Sequence, residues 1–404
     1  MHAGTSQVLK AGAPRMWPLG ALGFVALIDT SMISPVIASH ALLLGADRVL
    51  AATIAGSYSL VAIFTTMVAG YLVDRLGRRR LLGAGLAADL LLMFGYALST
   101  SPLQLLAVRI AHAVADAFVV PSALATIGDL FQRVLGRSLA IYWTFVAVAI
   151  IVGSGSASAL VLRFGHPSVY LVVAAAMAAT LIALRFGGYA RREEGRDGRG
   201  PYWALISAHL LPIALASAAM LSMYLVIGGV IGTAPSVLVE RGGLDERGAA
   251  AMVGLFMALS TGVAIPLFFA AEQVASRVSP YAGAAVGLVA ASAASYLLDA
   301  GLTFMALWHA SAVAFGVTLG FVFLTSSYIA VSLPSAVRGT ASGLSQGMGL
   351  MGVVAGSLIS AVVAGLDLPL GTFTMMGLPS LATAGLAAAV FVRRGRGGKP
   401  ENRA

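Results

Sequence analysis

Long apolar runs recur along the whole chain, and each is close to the length that a helix needs to cross a bilayer, about 20 residues. Only 10% of the 404 residues are charged and 59% are hydrophobic, whereas a soluble domain has about 25% charged residues. Such a chain cannot cover a water-facing surface, so lipid must be its main solvent. The short alternating segments of a transmembrane barrel are absent. The sequence therefore predicts an all-α integral membrane protein.

The apolar runs predict twelve transmembrane helices. A charged stretch at residues 188–202 is predicted to be a cytoplasmic linker between an N-terminal six-helix bundle at 1–187 and a C-terminal six-helix bundle at 203–392. Residues 393–404 are predicted to form a basic cytoplasmic tail. The predicted spans are 16–42, 50–73, 80–99, 102–130, 137–162, 167–187, 203–232, 247–271, 279–298, 301–331, 338–365 and 370–392.

Lysine and arginine are distributed very unevenly between the two sides of this predicted topology. Of the 25 basic residues, 20 lie on the side of the N-terminus and four on the opposite side, and Arg109 lies within a span. The excess of positive charge marks the cytoplasmic side, so we expect a multi-pass protein of the cytoplasmic membrane with both termini in the cytoplasm. Topology also explains the net charge of +9, and no nucleic-acid partner is expected.

An internal repeat appears at an offset of 200–201 residues. It pairs Pro35 with Pro235 and Arg137 with Arg338, and it extends to Gly155 with Gly356 and Ser156 with Ser357. Two similar halves in the same orientation are the architecture of transporters that move around a site near the membrane midplane. The chain has no cysteine, which excludes disulfides and thiolate chemistry, and no metal or cofactor is expected.

The loop between the second and third spans carries a specific motif, Gly70-Tyr-Leu-Val-Asp74-Arg75-Leu-Gly77-Arg78-Arg79-Arg80. It resembles the G-x-L-x-D-R-x-G-R-R/K signature of the major facilitator superfamily. The resemblance implies two pseudo-symmetric six-helix bundles and a conformational latch made by Gly70, Asp74, Arg75, Gly77, Arg78 and Asp129. In such a latch Asp74 would lie at the N-terminus of the eleventh helix, where the helix dipole favours a carboxylate, and Arg78 would pair with Asp129. The alternative is that these arginines only enforce topology.

Four charged residues fall inside predicted spans, namely Asp29, Asp89, Arg109 and Asp116. A charge at the bilayer centre costs about 2.5–3.5 kcal/mol on insertion scales, so each one requires an explanation. With a helical rise of about 1.5 Å per residue, Asp29 and Arg109 come out at matching depths and are expected to pair. Arg109, His112 and Asp116 share one helix face, at i, i+3 and i+7.

Two further resemblances concern these charges. Arg109-Ile-Ala-His112-Ala113 partly resembles the fourth-helix R-x-x-Q-G motif, and Leu27-Ile-Asp29-Thr30 resembles the first-helix L-D-x-T motif of drug:proton antiporters. They imply proton coupling through Asp29 and Arg109, and we assign Asp116 and His112, on the helix face of Arg109, to the same coupling group. Asp116 and Asp89 are expected to attract a cationic group or to form a second proton site. The alternatives are a permanent ion pair at Asp29 and Arg109, and neutral, hydrogen-bonded carboxylic acids at Asp89 and Asp116. The stretch Gly153–Ser158 lacks the proline of the antiporter fifth helix, which weakens the resemblance.

The family resemblance also implies a substrate cavity lined by side chains of the inner spans. Aromatic side chains suit amphipathic substrates, although such residues also pack against neighbouring helices or lipid. His309 matches Arg109 at the repeat offset and is expected on the opposite cavity wall. The expected lining residues are Asp29, Asp89, Tyr58, Trp143, Tyr224, Trp308, His309, Tyr328 and Gln346.

The leading functional prediction is a monomeric, proton-coupled exporter of amphipathic or cationic small molecules that works by alternating access, with protons, substrate and membrane lipid as its partners. The alternatives are a lysolipid or sphingolipid-like carrier, an organic solute facilitator, and a transporter-like membrane sensor. An enzyme is not expected, because the chain has neither a D-x-x-x-D site of prenyl transfer nor an H-E-x-x-H metalloprotease motif.

Overall fold

The computed structural model describes residues 17–186, 202–366 and 371–397. The predicted linker therefore lies outside the described residues except for Tyr202, and so do residues 398–404 of the predicted tail. The first half contains α1 (Trp17–Ile33), α2 (Ile37–Leu43), α3 (Arg48–Leu76), α4 (Arg78–Ala97), α5 (Pro102–Asp116), α6 (Val119–Leu130), α7 (Leu135–Phe164) and α8 (His166–Phe186). The second half contains α9 (Tyr202–Ala208), α10 (Leu210–Glu240), α11 (Glu246–Arg277), α12 (Pro280–Gly301), α13 (Met305–Val331), α14 (Arg338–Ala364) and α15 (Thr372–Gly397).

The helices confirm the predicted all-α membrane fold. Eleven of them, counting α5 with α6 as one, are long and apolar enough to cross a membrane, and α1 with α2 makes a twelfth span that bends by 42°. The bend lies at Ser34–Val36, where Pro35 cannot donate a backbone hydrogen bond and its ring displaces the carbonyl one turn earlier.

Proline also explains two interruptions that the predicted spans do not contain. The fourth span breaks between Asp116 and Val119. Pro121 has no backbone N–H to donate to the carbonyl of Ala117, four residues earlier, so the helix is interrupted there. The seventh predicted span, 203–232, is wrong at both ends: α9 stops at Ala208, four residues before Pro212, and α10 continues to Glu240. Pro235 lies inside α10 without ending it.

Each half is a helical bundle, and the two bundles meet mainly at one end of the molecule. This end carries Arg75, Arg78 and Arg338 and is called the basic end below. Here α3 packs against α14, α7 against α11, and α6 and α7 against α13. The contact between α3 and α14 is so close that a Cβ on Gly70 would lie 2.5 Å from the Gly339 carbonyl oxygen. Glycine is therefore required for the two bundles to close on each other at the basic end.

Candidate functional site

Asp74 joins the two bundles at the basic end. Its carboxylate accepts hydrogen bonds from the backbone N–H groups of Gly339 (2.8 Å) and Thr340 (2.7 Å) and from the Thr340 hydroxyl (2.8 Å). These donors belong to the first turn of α14, where N–H groups have no partner within the helix and the dipole favours negative charge. Asp74 therefore caps a helix of the opposite bundle.

Asp129 makes a second connection at the basic end, because it accepts from one arginine of each bundle. Its two oxygens lie 2.7 Å from Arg78 Nη1 and 2.5 Å from Arg338 Nη1. Arg78 also donates from Nη2 to the Ser335 carbonyl oxygen across the interface at 2.7 Å. Arg338 was not among the residues predicted for the latch, although it begins the eleventh span and is paired with Arg137 by the internal repeat.

The remaining two predicted latch residues, Arg75 and Gly77, have structural surroundings that fit their identity. The Arg75 guanidinium lies over the Tyr202 ring, 4.6 Å from its centroid, and the Tyr202 hydroxyl is hydrogen-bonded to Thr340. Gly77 connects α3 to α4 with a φ of +100°, a conformation that side-chain-bearing residues rarely adopt. The six predicted latch residues are thus gathered at the basic end, and their role in transport remains a prediction.

A second polar region lies inside the N-terminal bundle and is called the polar cluster below. His112 Nε2 is 2.9 Å from Asp29 Oδ2 and 4.0 Å from Asp89 Oδ1, and all three side chains are fully buried. Neither oxygen of Asp89 has a hydrogen-bond partner among the described residues. A buried carboxylate without a partner is unfavourable, and a proton or a cation would remove this cost.

Arg109 does not form the expected ion pair with Asp29 in the described part of the chain. Its guanidinium lies over the Tyr58 ring, 4.6 Å from the centroid, while Nε and Nη1 have no hydrogen-bond partner there. His112 takes the place next to Asp29 instead. Arg109 and His112 are only about 4.5 Å apart along the helix axis, so an estimate of depth from the sequence cannot choose between them.

Tyr58 connects Asp116 to the rest of the polar cluster. Its hydroxyl donates to Asp116 Oδ2 and accepts from the Thr30 hydroxyl at 3.3 Å. Its ring lies 5.3 Å from the His112 ring. Asp29, Asp89, Arg109, His112, Asp116 and Tyr58 therefore come together from α1, α3, α4 and α5.

The other residues expected to line a substrate cavity are more scattered. Trp143 and Tyr224 both contact Phe323, with ring centroids 4.5 and 5.8 Å away, and Trp143 Nε1 donates to Ser327 Oγ of the opposite bundle at 3.1 Å. Trp308 instead packs within the C-terminal bundle, between Phe256 and Phe373, and is 1% exposed. This burial argues against a cavity-lining position for Trp308.

His309, Tyr328 and Gln346 occupy different environments. His309 is exposed and contacts the Met305 carbonyl oxygen of its own helix. Its surroundings therefore differ from those of Arg109, its counterpart in the internal repeat, which is buried. Tyr328 and Gln346 are half-buried on α13 and α14.

Sequence reasoning missed several polar residues next to the cluster. Tyr96 on α4 places its hydroxyl 3.2 Å from His112 Nδ1, and its ring stacks on Tyr170 of α8 at 5.0 Å. Tyr170 is hydrogen-bonded to His40 Nδ1 at 2.7 Å. One signal was available: of the six histidines in the chain, four fall within the predicted N-terminal bundle at 1–187, namely His2, His40, His112 and His166.

Comparisons with known proteins agree with this architecture. The sequence profile described as Major Facilitator Superfamily matches residues 19–357. The chain is 28% identical over 230 residues to the "Multidrug resistance protein MdtM" of Salmonella typhimurium, covering 55% of each chain. It is 29% identical over 175 residues to the "Uncharacterized MFS-type transporter Rv1250" of Mycobacterium tuberculosis, covering 42% of this chain and 30% of that one. The chain therefore spans less than two thirds of the length of either curated relative.

Two solved structures share the fold at low sequence identity. The human organic anion transporter MFSD10 (TETRAN) superposes with a TM-score of 0.71 and 16% identity, over 92% of this chain and 98% of that one. A bacterial homologue of the iron transporter ferroportin, in an outward-facing state with soaked iron, superposes with a TM-score of 0.70 and 14% identity, over 94% and 98%.

Proposed function

The chain belongs to the Major Facilitator Superfamily and is a membrane transporter of that family, and from this premise we propose that it exports amphipathic or cationic small molecules in exchange for protons. The basic end faces the cytoplasm in this proposal, as the distribution of arginine and lysine indicates. The protein acts as a monomer in the cytoplasmic membrane.

The buried pair of Asp29 and His112 supports proton coupling most directly. Both groups can gain or lose a proton, both are fully buried, and their side chains are 2.9 Å apart. With an ionised Asp29 and a neutral His112 the pair carries one negative charge. One added proton, held on either group, makes the pair neutral, and a proton on His112 stabilises the Asp29 carboxylate. Proton binding therefore changes the interaction that joins α1 to α5, which is the kind of local change that biases a two-state bundle.

Arg109 and Asp116 extend this coupling to α3. Arg109 is held over the Tyr58 ring, and Tyr58 donates to Asp116. A cationic substrate near these carboxylates competes with protons for the same negative charge, so binding of one favours release of the other. The similarity to a relative named as a multidrug resistance protein supports this substrate class.

The latch completes the proposed cycle. With Asp74 capping α14 and Asp129 held by Arg78 and Arg338, the basic end is closed. Opening of this end requires all of these hydrogen bonds to break, which allows substrate to enter from the cytoplasm. Protonation of the polar cluster from the other side would then favour the open basic end, where the proton leaves to the cytoplasm and the next substrate molecule enters.

The test is proton movement in proteoliposomes that contain a trapped pH-sensitive dye and receive tetraphenylphosphonium as the probe. Wild-type protein and Asp29→Asn, Arg109→Ala and Asp47→Asn variants are compared. Asp47 is the matched control, because it caps α3 at an exposed position outside the cluster. Probe-dependent proton movement that disappears in Asp29→Asn and persists in Asp47→Asn supports the proposal. Probe flux without proton movement in the wild type contradicts it and favours a facilitator or a lipid carrier.

A further inference from the structure

A line of histidine and tyrosine side chains runs from the end of the N-terminal bundle opposite the basic end to Asp29. At that end the His40 and His166 rings stack with centroids 4.9 Å apart and planes 13° from parallel. His166 Nε2 is 2.9 Å from the hydroxyl of Ser39, which is exposed, whereas His40 and His166 are 6% and 7% exposed. The three residues therefore connect the outside of the bundle to its interior.

From His40 the polar groups continue inward through two stacked tyrosines. His40 Nδ1 is 2.7 Å from the Tyr170 hydroxyl, and the Tyr170 ring stacks on Tyr96 with centroids 5.0 Å apart. The Tyr96 hydroxyl is 3.2 Å from His112 Nδ1, and the opposite ring nitrogen of His112 is 2.9 Å from Asp29. Both tyrosines are fully buried, so their hydroxyls are removed from lipid and solvent.

We propose that Ser39, His40, His166, Tyr170 and Tyr96 form a proton route inside the N-terminal bundle that leads to His112 and Asp29. The inference rests on the proposed function, because it names the way in which protons reach the coupling site. The route is internal to α2, α4, α5 and α8, and therefore separate from the interface between the two bundles, where substrate must pass. Protons and substrate thus approach the cluster along different paths.

Each transfer along the route conserves protons. An imidazole accepts a proton at one ring nitrogen as it releases another from the second, and a hydroxyl accepts and releases protons at its single oxygen. Tyr96 therefore donates to His112 Nδ1 while His112 Nε2–H passes its proton to Asp29. Tyr96 regains a proton from the Tyr170 hydroxyl, and Tyr170 regains one from His40. His40 in turn regains a proton from His166, which is linked to Ser39. Among the described residues no direct hydrogen bond joins the stacked His40 and His166 rings or the two stacked tyrosines, so both of these steps require a bridging water or a side-chain rotation.

The charged and titratable groups around the route come from every helix packed against it. They lower or raise the free energy of a proton at each position, so the pH dependence of transport reflects all of them. They are Asp29 on α1, His40 on α2, Tyr58 on α3, Asp89 and Tyr96 on α4, Arg109, His112 and Asp116 on α5, Tyr142 on α7, and His166 and Tyr170 on α8.

The test separates proton delivery from substrate movement in proteoliposomes. Net proton movement driven by tetraphenylphosphonium is measured beside counterflow of labelled tetraphenylphosphonium, which needs no net proton transfer. Tyr170→Phe and Tyr96→Phe remove one hydroxyl each and keep the stacked rings. Tyr142→Phe is the matched control, because Tyr142 is equally buried and its hydroxyl has no partner in the described chain.

We expect proton movement to fall by about tenfold or more in Tyr170→Phe and Tyr96→Phe, because a positioned proton donor typically contributes 10²–10⁴-fold. Counterflow in both variants, and both rates in Tyr142→Phe, should stay within about twofold of the wild-type values. None of the three hydroxyls belongs to the side chains that are proposed to bind the substrate. A coupled wild type whose two variants move protons at the normal rate overturns the route and leaves the proposed function intact. A wild type without proton movement refutes the proposed function instead.

His40→Ala resolves the case in which a tyrosine variant loses counterflow as well. His40 is buried but lies next to the exposed Ser39, so removal of its imidazole leaves a space near the surface that imidazole added to the medium can fill. Recovery of proton movement in His40→Ala with imidazole, and no recovery in Tyr170→Phe, supports the route. Absence of recovery in His40→Ala overturns it.

Discussion

The carboxylate of Asp74 accepts two hydrogen bonds from Thr340, one from the backbone N–H and one from the hydroxyl, although 266 residues separate them in the chain. The C-terminal bundle contains the same arrangement within itself. Asp299 at the end of α12 accepts from the backbone N–H and the hydroxyl of Thr374 in the first turn of α15, both at 2.7 Å. The two caps are chemically alike, but only the cap made by Asp74 connects one bundle to the other.

This relationship predicts that Asp74→Asn opens the basic end and Asp299→Asn does not. Hydrogen bonds to a charged acceptor contribute about 1.5–3 kcal/mol, so loss of the charge should shift the equilibrium toward the open basic end by about tenfold. Spin labels on cysteines introduced at Val134 and Val278, both exposed at that end, report the distance between bundles. The absence of native cysteine makes the labelling specific.

The control variant should behave differently in the same measurement. Asp299→Asn is expected to lower the melting temperature of the detergent-solubilised protein without changing the distance distribution between the two labels. An equal shift in both variants would show that Asp74 contributes only to general stability, and an unchanged distribution in Asp74→Asn would exclude it as a latch residue.

A second prediction concerns the close contact between α3 and α14. A Cβ on Gly343 would lie 2.6 Å from the Thr66 carbonyl oxygen, a distance that backbone atoms cannot tolerate. Gly343→Ala should therefore separate the two helices and favour the open basic end, as measured by the same label pair. Gly262→Ala, where no atom lies within 4 Å of the added carbon, should leave the distances unchanged. An unaltered distance distribution in Gly343→Ala would contradict the prediction.

The fold could be predicted from the sequence because its determinants are local. Apolar runs of bilayer length define the spans, and the loop motif from Gly70 to Arg80 names the family without any tertiary information. The same motif contains Gly77, whose positive φ explains why glycine stands between two helices. Breaks were missed where Pro121 and Pro212 lie inside long apolar runs, since hydropathy does not register a lost backbone hydrogen bond.

The contacts of the polar cluster could be predicted only in part. Intramembrane charge identified Asp29, Asp89, Arg109 and Asp116 because charge is costly anywhere in lipid. Which side chains meet depends on helix rotation and on differences of a single turn, and for this reason His112, rather than Arg109, lies next to Asp29. Tyr96 and Tyr170 carry no charge and no motif, so only the structure reveals their position beside His112.

A third prediction concerns the hydroxyl of Tyr58, which donates to Asp116 while the ring lies beneath Arg109. Tyr58→Phe keeps the ring and leaves Asp116 without this donor, which should cost about 1–3 kcal/mol and lower the melting temperature. Tyr142→Phe removes a buried hydroxyl that has no partner among the described residues and should be neutral or stabilising. Thermal unfolding of the two variants in the same detergent tests this, and equal melting temperatures would contradict the hydrogen bond.

The last prediction concerns the link between α3 and α4 at Gly77. Its φ of +100° lies in the left-handed half of backbone space, where a Cβ costs about 1–2 kcal/mol. Although nothing lies within 4 Å of the added carbon, Gly77→Ala should therefore be destabilising. Gly56→Ala is the matched control, since it lies inside α3, also has no neighbour within 4 Å, and should stabilise the helix by about 0.5–1 kcal/mol. Opposite shifts in melting temperature are expected, and a stabilising Gly77→Ala would show that the α3–α4 link tolerates another backbone conformation.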